Sequence, residues 1–150
     1  MKSVRHWHGY GPWTGTSEQL RGEASRRPGR DPADAATQAF IAATIPPMQL
    51  GHYLLRRRDT TAARTWTSVD DAMDWLGKTY AAHPPLTLAD GAQAYVDLEA
   101  RRRYTRDGLH HGVDAFWLYY TAGFGVVAYA VICCPHKHLT TVSCPLPPAT

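Results

Sequence analysis

Cysteine and histidine residues near the C-terminus of this chain are the residue types best suited to bind a metal ion. All three cysteines of the sequence lie between positions 133 and 144. Two histidines fall between them, and they would point to the same side of an extended segment because side chains alternate along a strand. Thiolate sulfur and imidazole nitrogen are the usual ligands of zinc. The candidate metal ligands are therefore Cys133, Cys134, His136, His138 and Cys144.

The spacing of these residues leaves other interpretations open. The sequence has no Cys-x-x-Cys pair and no second ligand pair at the spacing of a zinc finger or ribbon. In the alternative interpretation, Cys133 or Cys134 binds no metal and completes a buried strand, since a free cysteine packs as a small apolar residue. No cofactor is therefore predicted outright, and zinc is the alternative. A cysteine nucleophile is a further alternative, for which His110 or His111 would supply the base.

Arginine-rich segments next to aromatic residues suggest a second kind of chemistry, contact with nucleic acid. Guanidinium groups bind phosphates, and rings such as those of Tyr53, Trp66 and Tyr104 can stack on bases. The candidate nucleic-acid-binding residues are Arg26, Arg27, Arg56, Arg57, Arg58, Arg101, Arg102 and Arg103. The alternative for the last group is a solvated helix face, on which Asp97 and Arg101 are four residues apart and form an ordinary ion pair.

Basic residues are concentrated in the N-terminal part of the chain. Residues 1–32 contain six Lys and Arg against three Asp and Glu, whereas the other 118 residues have ten of each. The run from His6 to Trp13 mixes aromatic residues with turn formers and has neither helical nor strand periodicity. We therefore expect residues 1–30 to be a flexible basic and aromatic segment that contacts a protein partner or a nucleic acid.

The residues that follow have the patterns of a single α+β domain over 31–145, with a proline-rich tail over 146–150. Apolar spacing and capping residues predict three helices. They run from Asp31 to the prolines at 46–47, from Val69 to the prolines at 84–85, and from Leu88 to Asp107. Ser68 is the predicted N-cap of the second helix, which has the clearest pattern of the three.

Two β-hairpins complete the predicted fold. Residues 52–58 and 63–67 are interpreted as two short strands around a turn, with a helix as the alternative for the same run. In the C-terminal part, period-two alternation over 116–120 leads through a turn at Ala122-Gly123 into a strand from Val126 to Cys134. Together these elements predict a small antiparallel sheet covered on one face by about three helices.

Composition and cysteine usage restrict the class of protein. Hydrophobic residues make up 44% and charged residues 19% of the chain, which is typical of a globular protein and not of a disordered one. Three cysteines do not make a disulfide framework, and the N-terminus lacks a secretory signal, so we expect a cytoplasmic protein. Residues 115–134 lack charge over the length of a membrane span. Their tyrosines and the break at Gly123 favour buried strands instead, so a membrane is not an expected partner.

These features support two classes of function. The first is a non-catalytic binding protein that contacts a protein or a nucleic acid through residues 1–30. The second is a small enzyme, or a ligand- or metal-binding domain, with a Cys/His site near the C-terminal hairpin. The absence of a strong catalytic motif favours the first class without excluding an enzyme. The apolar C-terminal hairpin also suggests a homodimer.

Overall fold

A four-stranded antiparallel sheet forms the centre of the fold in the computed structural model, which describes residues 4–89 and 97–149. The strand order is β2-β1-β4-β3. This architecture confirms the predicted α+β class. The strands are β1 (His6–Gly15), β2 (Thr65–Trp66), β3 (Ala115–Tyr120) and β4 (Val126–Cys134).

Helices and short 3-10 turns connect and cover the strands. The α-helices are α1 (Ser17–Arg21), α2 (Ala35–Ala42), α3 (Val69–Ala82) and α4 (Leu98–His110). The 3-10 turns are Leu50–Leu55, Arg57–Asp59, Ala62–Arg64 and Ala122–Phe124.

Strand β4 is buried along its whole length because both faces of the sheet are covered. On one face, residues of α3 and α4 such as Met73 and Leu109 pack against Trp117 and Tyr129 of the sheet. On the other face, the 3-10 turn Leu50–Leu55 and residues of the C-terminal segment cover the sheet. The helices therefore lie against one face, and irregular segments complete the second core.

The predicted C-terminal hairpin is confirmed. Strands β3 and β4 pair antiparallel from Ala115 opposite Val131 to Tyr120 opposite Val126. Gly123 in the connecting turn has a φ of +78°, a conformation that glycine adopts without steric cost. The charge-free stretch at 115–134 is this hairpin, and β3 is the outer strand of the sheet. Among the described residues, no helix has the length and apolar character needed to cross a membrane.

The second predicted hairpin, over residues 52–67, is wrong. The helical alternative describes this region better, because Leu50–Leu55 is a 3-10 turn and only Thr65–Trp66 is a strand. Tyr53 and Leu54 are consecutive, and both pack into the same core. A strand would send these two side chains to opposite faces of the sheet, whereas a tight turn lets both pack on one face.

The interpretation of residues 1–30 as an irregular segment outside the domain is wrong for β1. His6–Gly15 lies between β2 and β4 and pairs with both. Its alternation is hidden because one extra residue is inserted between Tyr10 and Trp13, where the register with β4 shifts. A bulge of this kind breaks the period of two on which recognition of a strand depends.

The second predicted helix agrees best with the structure, and the other two begin later in the chain than predicted. Helix α3 begins at Val69 after the N-cap Ser68, whose hydroxyl accepts a hydrogen bond from the Asp70 amide at 3.2 Å. Helix α2 begins at Ala35, because residues 31–34 form a turn. Helix α4 begins at Leu98 after the N-cap Asp97. Residues 90–96, in the first half of the helix predicted from Leu88 to Asp107, lie outside the described residues.

Candidate metal centre

Two histidines of β1 occupy one face of the sheet. His6 and His8 are separated by a single residue of an extended strand, so their side chains point to the same side. Their rings meet edge to face with centroids 4.8 Å apart. The exposed fraction is 2% for His6 and 0% for His8. Imidazoles removed from water to this extent need polar partners.

A cysteine of β4 lies beside them. Cys134 is directly opposite His6 in the antiparallel register of β1 and β4, and residues opposite one another project from the same face. Cys134 is 1% exposed. The register therefore brings one thiol and two imidazoles to the same buried corner of the sheet.

The fourth group comes from the segment that follows β4. Residues 135–149 contain no helix or strand, and Val142 and Cys144 pack against the core that includes Cys134. The sulfur of Cys144 lies 3.3 Å from Nε2 of His6 and 3.9 Å from Nε2 of His8. The ligand atoms of all four residues lie within 4.8 Å of one another.

These separations are those of a tetrahedral metal site. With Zn–S bonds of about 2.3 Å and Zn–N bonds of about 2.0–2.1 Å, neighbouring nitrogen and sulfur ligands are about 3.6 Å apart. The two sulfur–nitrogen distances to Cys144 fall on either side of that value. A cation at the centre of the cluster is therefore within reach of all four atoms after only small side-chain adjustments.

Hydrogen bonds orient both imidazoles with Nε2 towards the cluster. Nδ1 of His6 lies 2.8 Å from the Val4 carbonyl oxygen, and it must donate because a carbonyl only accepts. Nδ1 of His8 lies 2.8 Å from the Thr65 hydroxyl oxygen, whose own proton is donated to the Thr61 carbonyl at 2.7 Å. Thr65 therefore accepts from His8. In both rings Nε2 carries the lone pair, as in metal-bound histidines held by a second hydrogen bond.

Protein groups alone leave this cluster incompletely paired. The lone pairs of His6 and His8 both face the Cys144 sulfur, and a thiol has one proton to donate. A single thiol proton cannot serve both nitrogens at once, and a buried nitrogen without a donor costs about 1–3 kcal/mol. A cation that accepts both lone pairs removes this cost.

Burial keeps His8 and Cys134 neutral when no cation is present. Burial, and to a smaller extent neighbouring His6, lowers the pKa of His8 to about 4. Burial raises the pKa of the Cys134 thiol to about 12, and the hydrogen bond with Cys144 acts in the same direction. The His8 imidazole is thus in its ligand form, whereas the Cys134 thiol must release its proton on metal binding. A divalent cation supplies the positive charge that stabilises buried thiolates.

Of the five ligands suggested by the sequence, the structure brings together Cys134 and Cys144 only. Cys133 is next to Cys134 on β4 and therefore points to the opposite face, where it lies in the core with Trp7 and Tyr129. Burial, with a smaller contribution from Asp114, raises the pKa of the Cys133 thiol to about 12. Its position on the opposite face separates Cys133 from the His6, His8, Cys134 and Cys144 cluster, and the raised pKa disfavours a thiolate nucleophile.

His136 is occupied by other partners. Its Nδ1 accepts the backbone N–H groups of His138 and Leu139 at 3.3 and 3.1 Å. Its Nε2 therefore carries the proton and donates to the Asp114 carboxylate at 2.7 Å. No lone pair remains for a metal, so this histidine fastens the segment after β4. The side chain of His138 is exposed, and its ring lies beside that of His136, with centroids 5.9 Å apart.

The two other histidines considered as a base lie at the end of α4. His111 faces Asp107, whose carboxylate oxygen is 3.6 Å from Nδ1. The carbonyl oxygen of His110 accepts a hydrogen bond from the Arg5 guanidinium at 2.9 Å. Both side chains are exposed, whereas Cys133 and Cys134 are buried.

Several arginines suggested as nucleic-acid contacts hold the fold together instead. Arg56 is 1% exposed, and its guanidinium donates to the carbonyl oxygens of Phe40 and Ile45 at 3.0 and 2.7 Å. Arg26 donates to the carbonyl oxygens of Leu20 and Pro46. The Arg56 guanidinium is therefore enclosed within the fold, whereas half-buried Arg26 uses only part of its donor set in these contacts.

The remaining arginines of that set are more accessible. Arg57 donates to the Ser143 hydroxyl at 2.8 Å, and Arg101 donates to the Phe116 carbonyl at 3.5 Å. Arg103 lies over the ring of Tyr104 at 5.8 Å. The exposed members are Arg27, Arg57, Arg58, Arg102 and Arg103. Nucleic-acid binding by these residues stays a prediction.

His6 and His8 are the site residues that sequence reasoning missed. The signal was present, because His-x-His in a strand is the same pattern that singled out the pair at 136 and 138. What was lacking was any sign that this segment is a strand, or that its partner is more than a hundred residues away. Comparison with protein-family models, with curated proteins and with solved structures finds no match for this chain.

Proposed function

We propose that this protein is a zinc-binding domain whose metal centre consists of His6, His8, Cys134 and Cys144. The observation that carries the proposal is the convergence of four ligand atoms, from both ends of the chain, within 4.8 Å of one another. The hydrogen bonds that leave both Nε2 atoms facing the cluster support it. Zinc is the metal that this ligand set favours, because tetrahedral sites with two sulfur and two nitrogen ligands select zinc.

The proposed zinc has a structural role. Four protein ligands fill a tetrahedral site, whereas a catalytic zinc keeps one position open for water or substrate. The burial of His6, His8 and Cys134 agrees with a closed site. The metal joins β1, β4 and the segment after β4. The protein then acts through its surface as a non-catalytic binding protein, and the metal holds that surface in shape.

Metal analysis of variants with adjacent cysteines tests the proposal. We expect one zinc per chain in protein purified under reducing conditions, and loss of that zinc in the Cys134→Ala variant. Cys133→Ala is the matched control, because it makes the same change one residue away on the opposite face and should retain the metal. Circular dichroism of each variant reports whether it is folded.

Cobalt substitution gives a second readout of the same site. Co²⁺ in place of zinc should produce the strong visible absorption of tetrahedral coordination, together with sulfur-to-cobalt charge-transfer bands. The Cys144→Ser variant should weaken these charge-transfer bands. Wild-type protein that binds no zinc, or a Cys134→Ala variant that keeps its zinc, would refute the proposal.

A further inference from the structure

The bulge in β1 opens the sheet next to the 3-10 turns. Tyr10 pairs with Ala130 and Trp13 pairs with Ala128, so β1 has one residue more than β4 over this stretch. Such an insertion bends a strand and redirects its side chains. A cavity of about 400 Å³ lies at this point, and its wall includes the bulge, Tyr53, Asp59 and Arg64. Sites for small molecules have volumes in this range.

One wall of the cavity carries the hydroxyl of a tyrosine whose ring is buried. Tyr53 is 3% exposed and stacks on Tyr10, with ring centroids 4.7 Å apart. The Tyr10 hydroxyl pairs with the Thr60 hydroxyl at 2.7 Å. The Tyr53 hydroxyl, by contrast, makes no hydrogen bond within residues 4–89 and 97–149. The ring of Tyr53 is enclosed, but its hydroxyl faces the cavity, where a polar group of a ligand can pair with it.

A carboxylate of the same wall also lacks a direct partner. Asp59 is half-buried, and its carboxylate forms neither an ion pair nor a hydrogen bond with any residue that the structure describes. The nearby buried Arg56 attracts it, but the Arg56 guanidinium donates to the backbone carbonyls of Phe40, Ile45 and Ser25. Asp59 therefore keeps its acceptor positions for a donor in the cavity.

A fixed cation faces the same space. The Arg64 guanidinium donates to the Gly11 carbonyl and lies over the Trp75 ring at 5.6 Å. These two contacts hold the side chain in place, and a guanidinium has five N–H groups, so it can still bind an anion. The cavity thus combines a fixed positive group, a carboxylate without a donor and a hydroxyl without a partner.

We propose that this cavity binds a small zwitterion of the amino-acid class, with its ammonium group on Asp59 and its carboxylate on Arg64. The Tyr53 hydroxyl supplies a further hydrogen bond, and burial, which raises the pKa of Tyr53, keeps that hydroxyl protonated. An anion alone would be repelled by Asp59, and a cation alone would be repelled by Arg64. The cavity wall includes none of the four proposed metal ligands, so the two proposals stand or fall separately.

Titration of the full chain, as purified, with each of the twenty common amino acids, followed by NMR, tests this proposal whether or not the protein holds zinc. At least one amino acid should bind and shift resonances of Tyr53, Asp59 and Arg64. Acetate carries only the carboxylate of the zwitterion, and methylammonium carries only its ammonium group. Each should bind at least tenfold more weakly. Glucose serves as an uncharged polar probe and should not bind.

Two variants locate the binding. Asp59→Asn removes the charge that faces the ammonium group and should weaken binding about tenfold or more, while Tyr53→Phe should weaken it by a smaller factor. Asp107→Asn makes the same substitution at an exposed position of α4, and it should leave binding unchanged. Failure of all amino acids to bind would overturn the proposal. Equal binding of acetate, preferential binding of glucose, or unchanged affinity in Asp59→Asn would also overturn it.

Discussion

A threonine hydroxyl decides which nitrogen of a candidate metal ligand faces the metal. Thr65 gives its only proton to the Thr61 carbonyl, so its oxygen must accept from Nδ1 of His8. This arrangement fixes the tautomer of His8 and the orientation of its ring. Side chains of this kind never touch a metal, yet they affect its affinity because they position and polarise the ligand.

We predict that Thr65→Val weakens zinc binding about 10- to 100-fold, the usual effect of losing such a partner. Valine has nearly the same shape and is favoured in strands, so the effect should be on the metal and not on the fold. Competition with a chromophoric chelator measures the affinity. Thr61→Val is the control. Thr65 contacts only the backbone carbonyl of Thr61, and the substitution keeps that carbonyl. Equal affinities of the two variants would contradict the assigned role of the hydroxyl.

Arg56 shows why residue type alone is a poor guide to nucleic-acid contacts. Three adjacent arginines suggest an exposed basic surface, but the first of them is buried and stacks on Phe40, with the guanidinium 4.3 Å from the ring centre. Its hydrogen bonds go to the backbone carbonyls of Phe40, in the last turn of α2, and of Ile45, in the segment that follows this helix. Composition cannot reveal this use, because it depends on which carbonyls are left unpaired in three dimensions.

Among the elements, β1 depends on a single glycine for its path. Gly11 has a φ of +94°, and a Cβ at this position would lie 2.9 Å from the Ala128 carbonyl oxygen. Other residues avoid this backbone region, and here the neighbouring strand also blocks the space. The bulge, and with it the approach of β1 to β4, therefore requires glycine.

Gly11→Ala should lower the free energy of unfolding by about 1–3 kcal/mol, the range expected for backbone strain of this kind. Urea titration followed by tryptophan fluorescence measures this quantity. Gly22→Ala makes the same change where φ is −71° and the nearest atom is 3.6 Å from the added carbon. We expect this control to stay within about 0.5 kcal/mol of the wild type. Similar losses for both variants would show that the conformation of Gly11 is not the cause.

The elements that sequence reasoning predicted are those determined by nearby residues. Helix α3 follows from its apolar spacing and its N-cap Ser68, and the C-terminal hairpin follows from alternation and a glycine turn. Strand β1 could not be recognised in this way, because its pairing partners are distant in sequence and a bulge breaks its period. For the same reason, only two of the four candidate metal ligands could be identified from the sequence. Cys134 and Cys144 were identified by local clustering, whereas His6 and His8 belong to the element that was missed.

At the scale of the whole molecule, the two faces of the sheet have different sources of stability. The face that contacts α3 and α4 has a core of large aromatic and aliphatic side chains. The opposite face is covered by 3-10 turns and by residues 135–149, which have no helix or strand of their own. The proposed zinc lies on this second face. It is therefore expected to stabilise mainly those parts that lack regular hydrogen bonding.

Zinc removal should consequently loosen one side of the molecule and leave the other largely unchanged. We predict faster amide hydrogen exchange in residues 135–149 and in the turn Leu50–Leu55 after treatment with a chelator, with little change in α3 and α4. Local opening of this kind reflects the lower stability of segments with few regular hydrogen bonds. Mass spectrometry of proteolytic fragments measures the exchange of each segment.

Cys134→Ala should reproduce this exchange pattern without chelator, and Cys133→Ala should not, because only the first removes a ligand. Re-addition of zinc should restore protection in the wild type and fail to restore it in Cys134→Ala, since a ligand that binds only the folded state stabilises it by mass action. Uniform loss of protection across the chain would show that the metal is needed for the whole fold. Unchanged exchange everywhere would show that the metal does not hold the C-terminal segment.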